Sequence, residues 1–285
     1  KDLNKMSAKS AIKFLVAKED NAKLYQWVAV LTGSKNALKG VGFFLGGMLL
    51  TLLEFNGAII VMASLLTLVW IFSLIALKKD FGKAKNQPKF KDIFSKNRSI
   101  NILSAARMFL FGARDVWFVV ALPVFLAFTF QWDHWWVGGF MASWVIGYGI
   151  VQSVAPYFTG KKQGKVPTQN AAFLWASYLM FIPAAIALAL HFDFYIQVAI
   201  IAGLLLFGAI FAINSSLHSY LIISYSSNDA VSLDVGFYYM ANAMGRLIGT
   251  ILSGWVYQHY GLEACLWISS VFVAMATLLS LKLEH

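Results

Sequence analysis

Eight times along the chain an apolar run recurs that is long enough to cross a lipid bilayer. The runs lie at 27–53, 57–77, 101–129, 135–158, 170–190, 195–222, 236–258 and 264–281. Crossing about 30 Å of hydrocarbon takes about 20 helical residues, so each is expected to be a transmembrane helix. Pro123, Pro156 and Pro183 fall inside runs, which membrane helices tolerate. The alternating ten-residue pattern of a membrane β-barrel does not appear. Of the 285 residues 59% are hydrophobic and 13% charged. Soluble domains carry about 25% charged residues, and this much apolar surface has no water-soluble core to hide in. A cytosolic enzyme and a disordered protein are excluded. Cys265 is the single cysteine, which also excludes a secreted disulfide scaffold.

The positions of the charges orient the bundle. The net charge of +10 comes from 23 Lys and Arg against 13 Asp and Glu. Four short connections, Glu54–Asn56, Gln131–His134, His191–Phe194 and His259–Glu263, each carry one acid and no Lys or Arg. The opposite side holds residues 1–24 and 78–98, Lys161, Lys162, Lys165 and Lys282, with eighteen of the 23 basic residues. Such sorting places the basic side in the cytoplasm, with both termini there. It also explains the basic balance without nucleic acid as a partner; the partners expected are lipid and a small anionic substrate. Trp132, Trp135 and Trp136 read as an interfacial belt at the outer end of the fourth run.

The domain organisation expected is 1–77 as a cytoplasmic segment and two spans closing one half-bundle, 78–100 as a cytoplasmic loop, and 101–285 as a six-helix half-bundle. The chain opens on Lys1 with no signal peptide pattern and reads as part of a longer protein.

Five basic residues remain within the spans: Lys35, Lys39, Arg107, Arg114 and Arg246. A single acid, Asp115, accompanies them. A charge at the bilayer centre costs about 2.5–3.5 kcal/mol even on the lenient insertion scale, so each needs a cavity or a partner. The second, fifth and eighth runs are bare of ionisable residues at their centres. That period suits three-helix repeats with one lipid-facing helix per triplet.

Helical spacing groups these residues further. Lys35, Lys39, Gly42 and Gly46 form one stripe, with Gly42 and Gly46 a small-residue pair suited to close backbone approach. The lysines either line a cavity or snorkel to the inner surface. Arg107 and Arg114 lie seven residues apart and share a face; Arg107 has the alternative of binding carbonyls or headgroups. Arg114 sits near mid-membrane, where its planar fork suits oxyanions and a structural ion pair is the alternative. Asp115 points about 100° away from Arg114 and need not pair with it. It either bridges to Arg246 or a lysine, or it serves as the protonatable group of a coupled transporter. Tyr239, Asn242, Arg246, Gly249 and Ser253 form a stripe on the seventh run, and Asn214 and His218 lie one turn apart on the sixth. The substrate-binding candidates are therefore Arg114, Arg246, Lys39, Lys35, Arg107, Asn242 and Asn214. Asp115 and His218 are the candidates for proton coupling. Interhelical hydrogen bonding is the alternative for Asn214 and His218.

The five histidines and one cysteine make no metal-binding pattern, and no cofactor motif, phosphate-binding loop or nucleophile elbow appears. The chain reads as a secondary transporter and not as an enzyme.

Four segments carry a resemblance: KDLNKMSAKSAIKFL (1–15), LTGSKNALKGVGFFLGG (31–47), SAARMFLFGARDVWFVVALPVFL (104–126) and YYMANAMGRLIGTILSGW (238–255). These resemble the ArsJ-type organoarsenical efflux permeases of the major facilitator superfamily. The resemblance implies a twelve-span transporter of two six-helix halves, of which this chain corresponds to spans five to twelve. It implies residence in the bacterial inner membrane and export of 1-arseno-3-phosphoglycerate, conferring arsenate resistance. The implied substrate is a product of glyceraldehyde-3-phosphate dehydrogenase acting on arsenate, which makes that enzyme a functional partner. A facilitator for another organic phosphate or organic anion is the alternative, and a non-transporting scaffold or sensor stands behind it.

Overall fold

The computed structural model of the chain describes residues 21–76, 95, 97–159, 167–226 and 231–283. The basic segments 1–20 and 78–94, together with Lys161, Lys162 and Lys165, lie outside the described residues. So does most of the expected inter-bundle loop 78–100.

Seven helices make up the described chain: α1 (Asn21–Ala76), α2 (Arg98–Phe118), α3 (Ala121–Phe128), α4 (His134–Phe158), α5 (Gln169–His191), α6 (Ile196–Tyr225) and α7 (Val231–Ser280). Six stretches among the described residues are long and apolar enough to cross a membrane, against the eight expected. Part of the difference is continuity. The seventh and eighth runs form the single 50-residue α7, interrupted only at Gly261 (φ 76°). The first and second runs share α1, interrupted only at Glu54 (φ 55°), and only Leu52–Ala76 within it counts among the six. A straight 50-residue helix would extend about 75 Å, more than twice the hydrocarbon thickness. Gly261 is where α7 turns, and lacking a Cβ it adopts positive φ without strain.

The turns fall where the acidic connections do. The positive-φ residues among those described are Glu54, Gln131, Asp193, Tyr195 and Gly261. All but Tyr195, one residue beyond, sit inside the four short connections. Asp133 starts α4 by accepting the backbone N–H of Trp136 at 2.9 Å, a conventional N-cap.

The third run is split into α2 and α3. Pro123 has no N–H and crowds the carbonyl four residues back, which is that of Val119, the C-cap of α2. Ser253 of α7 repairs the gap, its hydroxyl accepting the N–H groups of Val120 (3.3 Å) and Ala121 (3.1 Å).

Helix α2 is the central element: 56% of its most apolar stretch, continued through α3, is buried, against 6% for Leu52–Ala76. It packs along α7; α5 packs on α6 and α7, and α1 packs on α4 and α6. The second run, Leu52–Ala76, is the least buried at 6%, while Trp135–Phe158 (28%) and Gln169–His191 (33%) are alike. A helix beside an open cavity and a helix facing lipid are equally bare of protein contacts.

The glycine stripe of α1 also behaves differently from expectation. Nothing lies within 4 Å of a Cβ built on Gly42 or Gly46. Helices α1 and α4 instead meet at Gly33 and Gly149, where a Cβ on Gly149 would stand 2.6 Å from the Gly33 carbonyl oxygen.

Candidate polar site between α2, α6 and α7

The site begins with a close backbone contact. A Cβ on Gly245 would overlap the carbonyl oxygen of Met108, and one on Gly249 would lie 2.7 Å from Gly112 O and 3.1 Å from Asp115 Cβ. Only glycine lets α2 and α7 approach this closely, and the approach puts Arg246 against the acid of α2.

Asp115 is completely buried. Its Oδ1 accepts from Arg114 Nε at 2.6 Å, with Arg114 Nη2 also against the same oxygen. Its Oδ2 accepts from Arg246 Nε at 2.8 Å. The bridge from Asp115 to Arg246, one of the readings open for this acid, is present in the geometry. The pairing with Arg114 departs from expectation. Adjacent helical residues diverge at Cβ, but the arginine side chain is long enough to fold back onto its neighbour. Two guanidiniums thus share one carboxylate, and they differ in exposure: the Arg114 side chain is 12% exposed and that of Arg246 48%.

Arg107 stands on the same face of α2, seven residues before Arg114, and is 4% exposed. Its Nε donates to Asn242 Oδ1 at 3.2 Å and its Nη1 to the Ser215 carbonyl at 3.2 Å. Its Cζ lies 3.9 Å from the Phe111 ring centroid and 5.1 Å from that of Tyr238. The Arg114 Cζ lies 4.9 Å from the Phe111 centroid. One phenyl ring therefore serves both cations, whose Cζ atoms are within 8.8 Å of each other, the sum of 3.9 and 4.9 Å. Cation–π contact offsets part of the desolvation of each.

A hydrogen-bonded chain leads from Arg107 across the bundle. Ser215 Oγ accepts from Tyr148 (2.9 Å) and from Gln152 Nε2 (3.0 Å). Gln152 Oε1 in turn accepts from Asn36 Nδ2 at 2.6 Å. Helices α1, α4, α6, α2 and α7 are joined by this route. Asn36, Tyr148, Gln152 and Ser215 were not among the expected site residues, although polar side chains deep in apolar runs marked them.

The other expected residues are placed as follows. Asn242 receives Arg107, as above. Asn214 is buried, its Nδ2 donating to Ile210 O of its own helix at 3.1 Å and its Oδ1 having no hydrogen-bond partner among the described residues. His218 is 1% exposed, and its Nδ1 is likewise without a hydrogen-bond partner. Lys35 is half-buried and Lys39 exposed, both on α1, a helix that packs on α4 and α6. Gly249 and Ser253, from the stripe on the seventh run, serve packing and the α2–α3 break.

Chemically, Arg107, Arg114 and Arg246 set three positive charges against the single negative charge of Asp115. The terminal nitrogens of the half-exposed Arg246 present a planar donor fork of the kind that binds carboxylate, phosphate or arsenate oxygens in pairs.

Stacked apolar helices, turns gathered at the ends of the bundle and a charged polar core define a multi-pass helical membrane protein. No family model matches the chain and no curated protein matches it. Among solved structures, it is similar to the crystal structure of a bacterial homologue of the iron transporter ferroportin in an outward-facing state. The TM-score is 0.70 at 14% sequence identity, covering 95% of this chain and 66% of that one. The chain has the fold of a membrane transporter and spans 66% of that neighbour's length.

Proposed function

We propose that this chain belongs to a secondary transporter that exports a small polyanion, with Arg114, Arg246 and Lys39 holding its oxygens. The observation that carries this reading is the arrangement around Asp115. Two arginines divide one buried carboxylate, and the guanidinium of Arg107 lies within 8.8 Å of that of Arg114 with no carboxylate partner among the described residues. A site of this charge repels metal cations and attracts oxyanions, whatever the cargo of the transporter that shares its fold.

In this reading the chain contributes eight spans, the turns at Glu54 and Gly261 separating two pairs of them, and both termini lie in the cytoplasm. Two half-bundles, divided at 78–100, rock about the arginine site to expose it to either side. Asp115 is the coupling group. Protonated, it releases Arg114 and Arg246 to the substrate; ionised, it reclaims them.

The resemblance to the ArsJ-type permeases supplies the cargo, 1-arseno-3-phosphoglycerate, whose arsenate and phosphate ends suit a pair of cationic centres. The bacterial inner membrane is the location that goes with it. The same arginines suit other organic phosphates, so the test must separate the two. Arsenate-sensitive cells expressing the full-length protein and glyceraldehyde-3-phosphate dehydrogenase should gain arsenate resistance, and vesicles should move the arsenylated compound in preference to 3-phosphoglycerate. Equal transport of 3-phosphoglycerate would assign the organic-phosphate alternative; transport of neither would remove the anion-export reading.

A further inference from the structure

We propose that Arg107 anchors a resident site for a small monovalent anion of chloride size, separate from the Arg114–Asp115–Arg246 group. Arg107 is 96% buried, yet no carboxylate faces it among the described residues. From α2 it meets the Phe111 ring; from α6, the Ser215 carbonyl and His218, with which it interacts electrostatically; from α7, Asn242 and the Tyr238 ring. Asp115 lies eight residues further along α2, about 12 Å of helix rise away, and both its oxygens are occupied by other arginines.

A buried guanidinium without a counter-ion is costly. Desolvating an ion in a protein interior is costly even after relaxation, and neutral carbonyl, amide and ring partners recover only part of that cost. Arginine cannot lose its proton to escape the cost.

Two further buried groups on the helices around Arg107 have no hydrogen-bond partner among the described residues. Ser104 Oγ lies about one helical turn before Arg107 on α2, and His218 Nδ1 belongs to α6, three residues after the Ser215 whose carbonyl receives Arg107. Buried polar atoms without partners are uncommon in native proteins, and here they neighbour an uncompensated positive charge. The guanidinium N–H, the hydroxyl and, in its Nδ1–H tautomer, the imidazole are all donors. Donors around a net charge of +1 call for one monovalent acceptor. A dianion would reverse the imbalance, and a chain of water would leave it unaddressed. A proton wire past His218 is disfavoured for the same reason, since the fixed charge of Arg107 repels a travelling proton.

The inference does not rest on the export reading, because it is read from stability without any transported substrate. The full-length protein in detergent should unfold at a higher temperature in sodium chloride than in sodium gluconate of equal ionic strength. A ligand bound only by the folded state raises stability with its concentration above Kd, and a gain of about 3 °C or more is expected. Arg107→Gln should abolish the chloride-dependent gain. Should that variant fail to fold, Ser104→Ala combined with His218→Gln should raise the half-saturating chloride concentration several-fold. Bromide in place of chloride should give an anomalous diffraction peak beside the Arg107 guanidinium. Identical unfolding temperatures in chloride and gluconate, or a chloride-dependent gain that survives Arg107→Gln, would overturn the site.

Discussion

Arg246 Nε donates to Asp115 Oδ2 at 2.8 Å across the α2–α7 contact, linking residues 131 positions apart, while Arg114 occupies the other oxygen of the same carboxylate. The acid is fully buried and one arginine is half-exposed, so the three groups are unequal. Removing the acid strands two cations. Breaking a buried pair this way costs about 3–5 kcal/mol, and water around Arg246 reduces its share. Asp115→Asn should therefore lower the unfolding temperature of the purified protein markedly. Adding Arg246→Gln to it should restore part of the loss, because the second change removes one of the stranded charges. If the two losses simply add in thermal unfolding, the bridge has no energetic coupling.

The glycines of α7 and α1 share one spacing and have opposite surroundings. Gly245→Ala pushes a methyl group into the Met108 carbonyl, and Gly249→Ala crowds Gly112 and Asp115. Gly42→Ala and Gly46→Ala meet open space. Overpacking costs about 1–3 kcal/mol, and a backbone atom cannot swing aside as a side chain would. Folded yield from membranes should fall for the α7 variants and stay level for those of α1. A uniform response across all four would mean that the α2–α7 contact is not tight.

That contrast marks what sequence reading reached and where it stopped. The apolar, membrane-spanning character of the helices and the turns between them were legible because chain-local chemistry dictates them, although six stretches qualify among the described residues against the eight expected. Glu54, Gln131, Asp193 and Gly261 fall in connections identified from polarity and missing basic residues alone. The Pro123 break was not expected, since tolerance of proline in membrane helices says nothing about which proline actually interrupts one. The Gly42–Gly46 pair was visible on α1 and Gly249 in the stripe on the seventh run, but spacing states what a helix offers and not which helix comes to it. The Arg114–Asp115 contact was missed for a related reason. Cβ directions separate neighbouring residues on a helix, while a long flexible side chain can cancel that separation. Ser215, Tyr148 and Gln152 could be suspected only as polar interruptions, because their value lies in partners 63 to 116 positions distant.

Arg114→Lys in the full-length protein keeps the charge and loses the fork. A lysine ammonium is a compact point charge that cannot contact Asp115 and an oxyanion with the planar geometry of a guanidinium. One charge-assisted hydrogen bond is worth about 1.5–3 kcal/mol, so transport at subsaturating substrate should fall about tenfold or more. If the proposed arsenate export holds, Lys83→Ala, in the basic segment 78–98 of the sequence, should leave arsenate resistance near the wild-type level. Equal resistance in the two variants would remove Arg114 from the substrate site.

Asn36 and Gln152 test whether α1 and α4 are joined by chemistry or by shape alone. Their 2.6 Å hydrogen bond lies beside the Gly33–Gly149 contact, so steric fit and polar contact hold the same seam. Interhelical hydrogen bonds in membrane proteins contribute about 0.6 kcal/mol on average and about 1.7 at most, because the separated helices find other partners. Gln152 has more to lose than Asn36, since its Nε2 also supports Ser215, whose carbonyl receives Arg107. Gln152→Leu should therefore destabilise the protein more than Asn36→Leu, and should alter the response to Arg107→Gln while Asn36→Leu does not. A double-mutant cycle on thermal unfolding reads both effects. Coupling of Asn36 to Arg107 as strong as that of Gln152 would mean that α1 reaches the arginine by a path other than this chain.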